Sequence, residues 1–214
     1  MTRSAAPVSH ARRARHGPVL PASFYDRDPA EVARDLLGAV LECRTREGRC
    51  RGRIVETEAY LGPDDPACHA AAGLTARNRN LHGPPGTAYV YFIYGVHWCV
   101  NAVTREAGFG SAVLIRAIEP IEGIALMRRR RGVAHDRDLT NGPGKLCEAL
   151  GITKHHDGAD LRRGSLRILA GVRVAPARVA VTPRVGIRKA ADWPLRFFEQ
   201  GNAWVSRGRP GPPR

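Results

Sequence analysis

Cys50-Arg51-Gly52-Arg53-Ile54-Val55-Glu56-Thr57-Glu58-Ala59-Tyr60-Leu61 has the look of a long β-strand with its charges in an unusual place. Residues two apart on a strand share a face. Strict alternation puts Glu56, Glu58 and Tyr60 on one side, and Val55, Ala59 and Leu61 (with Thr57 between) on the other. The apolar side belongs against a core, so the acidic and aromatic side is expected to look into a cleft or solvent. Lys plus Arg number 34 against 20 Asp plus Glu in 214 residues, a formal net charge of +14. Carboxylates kept on so basic a chain point to chemistry on an anionic partner, with nucleic acid favoured. Part of the excess lies at the ends, in Arg12, Arg13 and Arg15 and in Arg207, Arg209 and Arg214.

On the N-terminal side of this strand a helix is expected, capped by Asp28, with Pro29 in its first turn, Glu31 three residues after the cap and Gly38 at its end. Val32, Leu36 and Leu37 form its buried stripe. A strand from Ala39 to Cys43 and a turn over Thr45-Arg46-Glu47-Gly48 lead into the long strand. Residues 62–86 are rich in Gly, Pro, Asn and Arg, and so long an irregular segment inside a compact domain is usually functional or mobile. Thr87 to Ile93 and Trp98 to Val103 pair as a hairpin, and Ala112 to Ile118 reads as a buried strand. Pro120 is expected to open a helix ending in Arg128-Arg129-Arg130-Arg131, and a short helix reaches Leu150 before Gly151. Leu166 to Val174, Arg178 to Val181, Leu195 to Phe198 and Trp204-Val205 complete the strands. The expected architecture is α+β: one domain over residues 21–206 with a curved, largely antiparallel sheet, flanking helices and a protruding hairpin. Residues 1–20 are expected to be a disordered basic tail and 207–214 a short basic one.

Five cysteines without a Cys-x-x-Cys pair fit a reducing cytosol, and no apolar run approaches the ~20 residues of a membrane span. Cys68, His69, His97, Cys99, His155 and His156 make no recognised zinc spacing, so no metal and no cofactor is expected. Gly142-Pro143-Gly144-Lys145 is not a Walker A loop; either its amides and Lys145 hold a phosphate or it is a plain helix entry. Tyr94, beside Gly95 at the hairpin tip, is badly placed for a core and well placed to wedge between stacked bases or to meet a protein. Tyr60, His69 and Tyr91 offer flat faces to a nucleobase.

The ordered set Arg53 to Pro63, His69, Arg77-Asn78-Arg79, Pro85 to Tyr91, Tyr94-Gly95, Asn101, Leu114, Arg116, Glu119-Pro120, Gly142 to Cys147, Arg184-Val185-Gly186 and Pro194 to Phe197 resembles the alkyladenine (3-methyladenine) DNA glycosylases of mammalian type. The resemblance spans roughly residues 30–206. It implies a monofunctional enzyme that flips an alkylated purine out of double-stranded DNA and hydrolyses its N-glycosidic bond, as a monomer, in the cytoplasm or a nucleus. Glu58 is implied as the base that activates water, with Arg116 and the Val185 carbonyl as further holders of that water. Tyr60, His69 and Tyr91 are implied as walls around the base, with the His69 amide probing its edge, and Asn101 as the side chain that excludes normal guanine. Tyr94 is implied as the intercalating residue, with Arg77 and Lys145 as phosphate contacts. For Asn101 to join Tyr91 on one face, the hairpin needs a three-residue loop, expected at Gly95 to His97 with Tyr91 opposite Asn101. Leu74, Ala76 and His97-Trp98 depart from the vertebrate pattern, which leaves substrate range and grip on the DNA backbone open. A non-catalytic nucleic-acid-binding protein with the same hairpin and basic surface, and a metal-dependent hydrolase, are the rival readings.

Overall fold

The computed structural model describes residues 17–208. Asp28 accepts hydrogen bonds from the N–H groups of Ala30 and Glu31, which satisfies two of the free donors that open a helix. After a single turn (α1, Ala22–Tyr25), the helix it caps is α2, Pro29–Asp35, whose Val32 is buried with Leu36 and Leu37 just beyond. β1 (Val40–Thr45) turns through two residues into β2 (Gly48–Tyr60), the strand on which the fold is built. β3 (Ala88–Ile93), β4 (His97–Thr104) and β5 (Ser111–Glu122) follow, then α3 (Ile124–Arg131) and α4 (Pro143–Leu150). Three short strands end the chain: β6 (Leu166–Leu169), β7 (Val179–Thr182) and β8 (Arg196–Glu199). This is the expected α+β class, and every named strand pair is antiparallel.

The sheet order is β3-β4-β5-β2-β1-β6, and the 13 residues of β2 explain it. One edge of β2 carries β5 along most of its length. The other edge is divided, with β1 on Gly48 to Arg53 and β8 on Glu56 to Glu58, and β7 lies outside β8. α2 packs on the apolar side, where Thr57 Oγ1 donates to the Ala33 carbonyl and the Arg34 guanidinium lies over the Phe197 ring. Alternation along β2 is not strict. The pairing with β5 slips around Glu56, so Ile54 and Ala59, five apart, both reach the main core. Val55, expected beside Ala59 on the core face, falls at the slip and lies outside that cluster.

Four expectations are corrected. Pro120 does not open a helix, because it pairs with Gly52 and β5 continues through it to Glu122. Beyond Leu114 the described strand pairs on one side only, where a residue without an N–H is tolerated. The helix starts after Gly123, whose φ of 81° turns the chain in a way most side chains resist. Trp204-Val205 is a turn, since Asn202 takes both N–H groups that a ladder would use. The strand expected over Leu166 to Val174 stops at Leu169. At the N-terminus, Gly17 and Leu20 donate to the Ala170 and Ile168 carbonyls, so the part of the expected tail that is described runs along β6. Residues 1–16 and 209–214 lie outside the described residues.

All five cysteines are buried free thiols. Among the described residues no helix is long and apolar enough to cross a membrane, and no three His, Cys, Asp or Glu side chains gather as a metal set.

Candidate active site

A small second core underlies the site. Cys68, Ala70, Leu81, Tyr89, Val103 and Ala112 pack together, and the half-buried Tyr60 and Tyr91 rest on them. The residues 62–86, irregular as expected, form much of this support through short 3₁₀ turns at His69–Ala72 and Arg79–His82. Above lies a cavity of about 520 Å³ lined by Tyr60, His69, Tyr91, Tyr94, Asn101, Arg116, Lys145 and Val185, eight of the ten candidates named from sequence. A volume of this order suits a small organic ligand. Arg77 lines a neighbouring cavity of about 510 Å³.

The hairpin uses a three-residue loop, Tyr94 to Val96, one position earlier than expected. Cys99 is therefore opposite Tyr91, and Asn101 is opposite Tyr89. All four side chains still share a face, so Asn101 stays in the cavity, where its Nδ2 donates to the Tyr89 carbonyl. His69 and Tyr91 meet edge to face, centroids 4.6 Å apart, and form one wall. His69 Nδ1 is hydrogen-bonded to Tyr89 Oη at 2.8 Å, and burial, helped by Arg77, lowers its pKa. Tyr94 stands 82% exposed at the tip with φ of 53°, a backbone state uncommon for an aromatic residue and held by a tight turn. The helix α4 approaches β4 closely: a Cβ on Gly144 would fall 2.7 Å from the His97 ring, so any larger residue there would have to displace His97. Lys145 Nζ donates to Asn141 Oδ1 at the rim.

Neither glutamate faces open solvent, contrary to the expectation that this side of β2 looks into a cleft. Glu58 is fully buried one layer beneath the cavity floor. Its partners are all cavity residues: the Val185 N–H donates to Oε1 at 2.7 Å, the Tyr60 hydroxyl to Oε2 at 3.1 Å, and Arg116 Nη1 lies 3.3 Å from Oε2. The Val185 contact present is through its N–H, where the resemblance implied a role for its carbonyl. Burial pushes the Glu58 pKa up, and the nearby Glu56 adds to this, while Arg116, the Val185 N–H and the Tyr60 hydroxyl pull the other way. Burial alone would weaken the cation on Arg116, but the two glutamates more than offset it.

Glu56 is instead locked into structure. Its Oε1 accepts from Arg116 Nε at 2.9 Å, Arg196 Nε at 2.7 Å and Ser206 Oγ at 2.8 Å, and its Oε2 from the Ser206 N–H at 2.7 Å. A second fully buried pair, Arg184 with Asp65, is bidentate at 2.5 and 2.9 Å. Arg184 also donates to the Ala59 carbonyl and lies 4.7 Å from the Tyr60 ring centroid. It thereby fixes the end of β2, the start of the 62–86 segment and the backbone that carries Val185. Sequence reasoning missed these supporting roles of Glu56, Arg196, Ser206, Asp65 and Arg184. Their partners lie from 60 to 150 residues away, so no local spacing announces them. The available signal was that Arg184 and Arg196 sit within the quoted motif segments.

A cavity with aromatic walls, a buried carboxylate below it and a cation beside that carboxylate can hold a flat heterocycle and activate water next to it. Residues 23–203 match the family described as methylpurine-DNA glycosylase (MPG). A relative from Methanoculleus marisnigri, provisionally named 3-methyladenine DNA glycosylase, is 52% identical over 191 residues, covering 88% of this chain and 98% of its own. Proteins of the same provisional name from Rhodopseudomonas palustris and Myxococcus xanthus are 50% and 46% identical, covering 89% of this chain in each case and 92% and 95% of their own length. The chain belongs to the methylpurine-DNA glycosylase family.

Proposed function

We propose that this chain is a monofunctional DNA N-glycosylase that flips alkylated purines of the 3-methyladenine and 7-methylguanine class out of double-stranded DNA and releases them by hydrolysis. The observation that carries this reading is Glu58, held from three sides by groups that all line one aromatic cavity. A base inside duplex DNA hides its glycosidic bond, so it must be extruded, at a cost of a few kcal/mol. Alkylation weakens its stacking and pairing and makes it a better leaving group. The purine enters between Tyr60 and the wall formed by His69 and Tyr91, and electron-rich faces on a cationic base add roughly 0.5–2 kcal/mol. Tyr94 fills the gap left in the helix. Asn101 is tied to the Tyr89 carbonyl, so it does not swing aside from the exocyclic amine of an undamaged guanine.

Arg116 and the Val185 carbonyl hold a water at the floor, where the two groups around Glu58 Oε2 meet the cavity. The water oxygen forms a bond to C1′ while the C1′–N bond breaks, and the base departs with that electron pair. Glu58 takes the proton, and its negative charge stabilises the positive sugar in the transition state. The products are a free base and an abasic site with an intact strand, and the enzyme acts as a monomer. The test is single-turnover excision from duplexes that each contain one damaged base, at stated salt. Release of 3-methyladenine or 7-methylguanine without strand cleavage is expected; binding without release from any duplex would leave the non-catalytic reading.

A further inference from the structure

The second cavity shares Ala67, Cys68, His69, Tyr89 and Ile187 with the first, so the two are adjoining chambers. Their linings differ in kind. The second is lined by no acidic side chain and carries Arg77 from the 62–86 segment and Arg188 and Lys189 from the segment that follows Val185. None of these three cations pairs with a carboxylate among the described residues, and Arg77 donates instead to the Phe92 carbonyl at the hairpin. The longest basic run contrasts with this: Arg128 pairs with Asp136, Arg130 with Glu47 and Arg131 with Glu148, so its charge is largely spent inside the molecule. The Arg77 wall is also braced. Asn78 accepts from the Thr75 N–H at 2.7 Å and donates to the Gly73 carbonyl at 2.8 Å and the His69 carbonyl at 3.1 Å. The loop carrying Arg77 is thus preorganised and tied to a wall of the base cavity.

We infer that this second chamber is a phosphate cradle in which Arg188 and Lys189 join Arg77, the phosphate contact implied by the resemblance, in gripping the DNA backbone beside the extruded nucleotide. A nucleotide swung into one chamber stays joined to phosphodiesters on both sides, and one of these must pass the adjoining opening. Cations from two chain segments around one chamber with no competing carboxylate suit an anion, and the chamber offers too little aromatic surface for a second base.

This inference rests on the glycosylase reading, and its test keeps the two apart. Affinity for a duplex carrying a tetrahydrofuran abasic-site analogue is measured across a salt series for the wild type, Arg188→Ala, Lys189→Ala, the double variant and Arg46→Ala. Arg46, exposed at the β1–β2 turn at the far end of β2, is the control. Each lost phosphate contact lowers the slope of log affinity against log salt by about 0.9, which near 0.1 M salt is roughly an eightfold loss. The double variant is expected to lose about twice that slope and Arg46→Ala none. Unchanged slopes in all variants, or lost affinity with an unchanged slope, would overturn the inference while leaving wild-type excision of methylated purines intact. Failure of the wild type to excise any damaged base would instead count against the glycosylase reading.

Discussion

Glu56 and Glu58 are the same residue type, two positions apart on one strand and on one face, and both are fully buried. The difference lies in what surrounds them. Glu56 meets two arginines, a serine hydroxyl and a backbone N–H, and of these only Arg116 also lines the cavity. Glu58 meets one backbone N–H, one tyrosine and one edge of Arg116, all at a cavity surface. A buried carboxylate whose hydrogen-bonding capacity is met internally holds a fold together. A buried carboxylate whose partners open onto a cavity is poised to exchange a proton with what enters there. Arg116 bridges the two, so Glu56 orients the cation that serves Glu58 in the proposed mechanism.

Exchanging each glutamate for its neutral isostere separates these roles. Glu58→Gln is expected to slow single-turnover excision by roughly 10²–10⁴-fold, the usual worth of a general base, while binding to abasic-analogue DNA is retained. Full activity in that variant would remove Glu58 from the chemistry. Glu56→Gln leaves Arg116 and Arg196 without their shared anion and is expected to destabilise the fold by about 3–5 kcal/mol. In a chain of this size that lowers the melting temperature by roughly 10 °C, and calorimetry reads it directly. A melt unchanged from wild type would mean that Glu56 is not the clamp described.

Titration sharpens the contrast. Burial raises the Glu58 pKa above its unfolded value, so the protonated form favours the fold and that contribution is lost as pH rises through the raised pKa. Glu58→Gln is therefore expected to melt no lower than wild type at pH 8. The wild-type excision rate should fall on acidification with a limb above the ordinary Glu value of about 4.3. A limb at or below that value would contradict the environment described for this carboxylate. The smallest effect is expected at the clamp's outer member. Ser206→Ala removes one donor to Glu56 and should cost about 1–2 kcal/mol in a thermal melt, with the acid limb of the rate unmoved.

Much of the fold was legible because its signals are local. Asp28 and Pro29 start α2, and alternating apolar residues mark β2 to β5. Errors arose where a long-range partner or local hydrogen bonds overrode the local pattern. Pro120 continues a strand because β2 pairs with it, and Trp204-Val205 turns because Asn202 captures its N–H groups. The hairpin register was off by one loop position, which exchanged the residues facing Tyr91 without moving any of them to the other face.

By itself the sequence determined most of the elements that form and, through motifs quoted in order along the chain, which residues belong near one another. Periodicity, caps and turn residues act within a few positions, so they survive without coordinates. The resemblance singled out Glu58, but only the tertiary structure decided how each glutamate is held: Glu56 by interior partners and Glu58 by groups that line a cavity. That depends on Arg196, Ser206 and Val185, brought to β2 from 127 to 150 residues away, and on the dielectric that burial creates around the carboxyl groups.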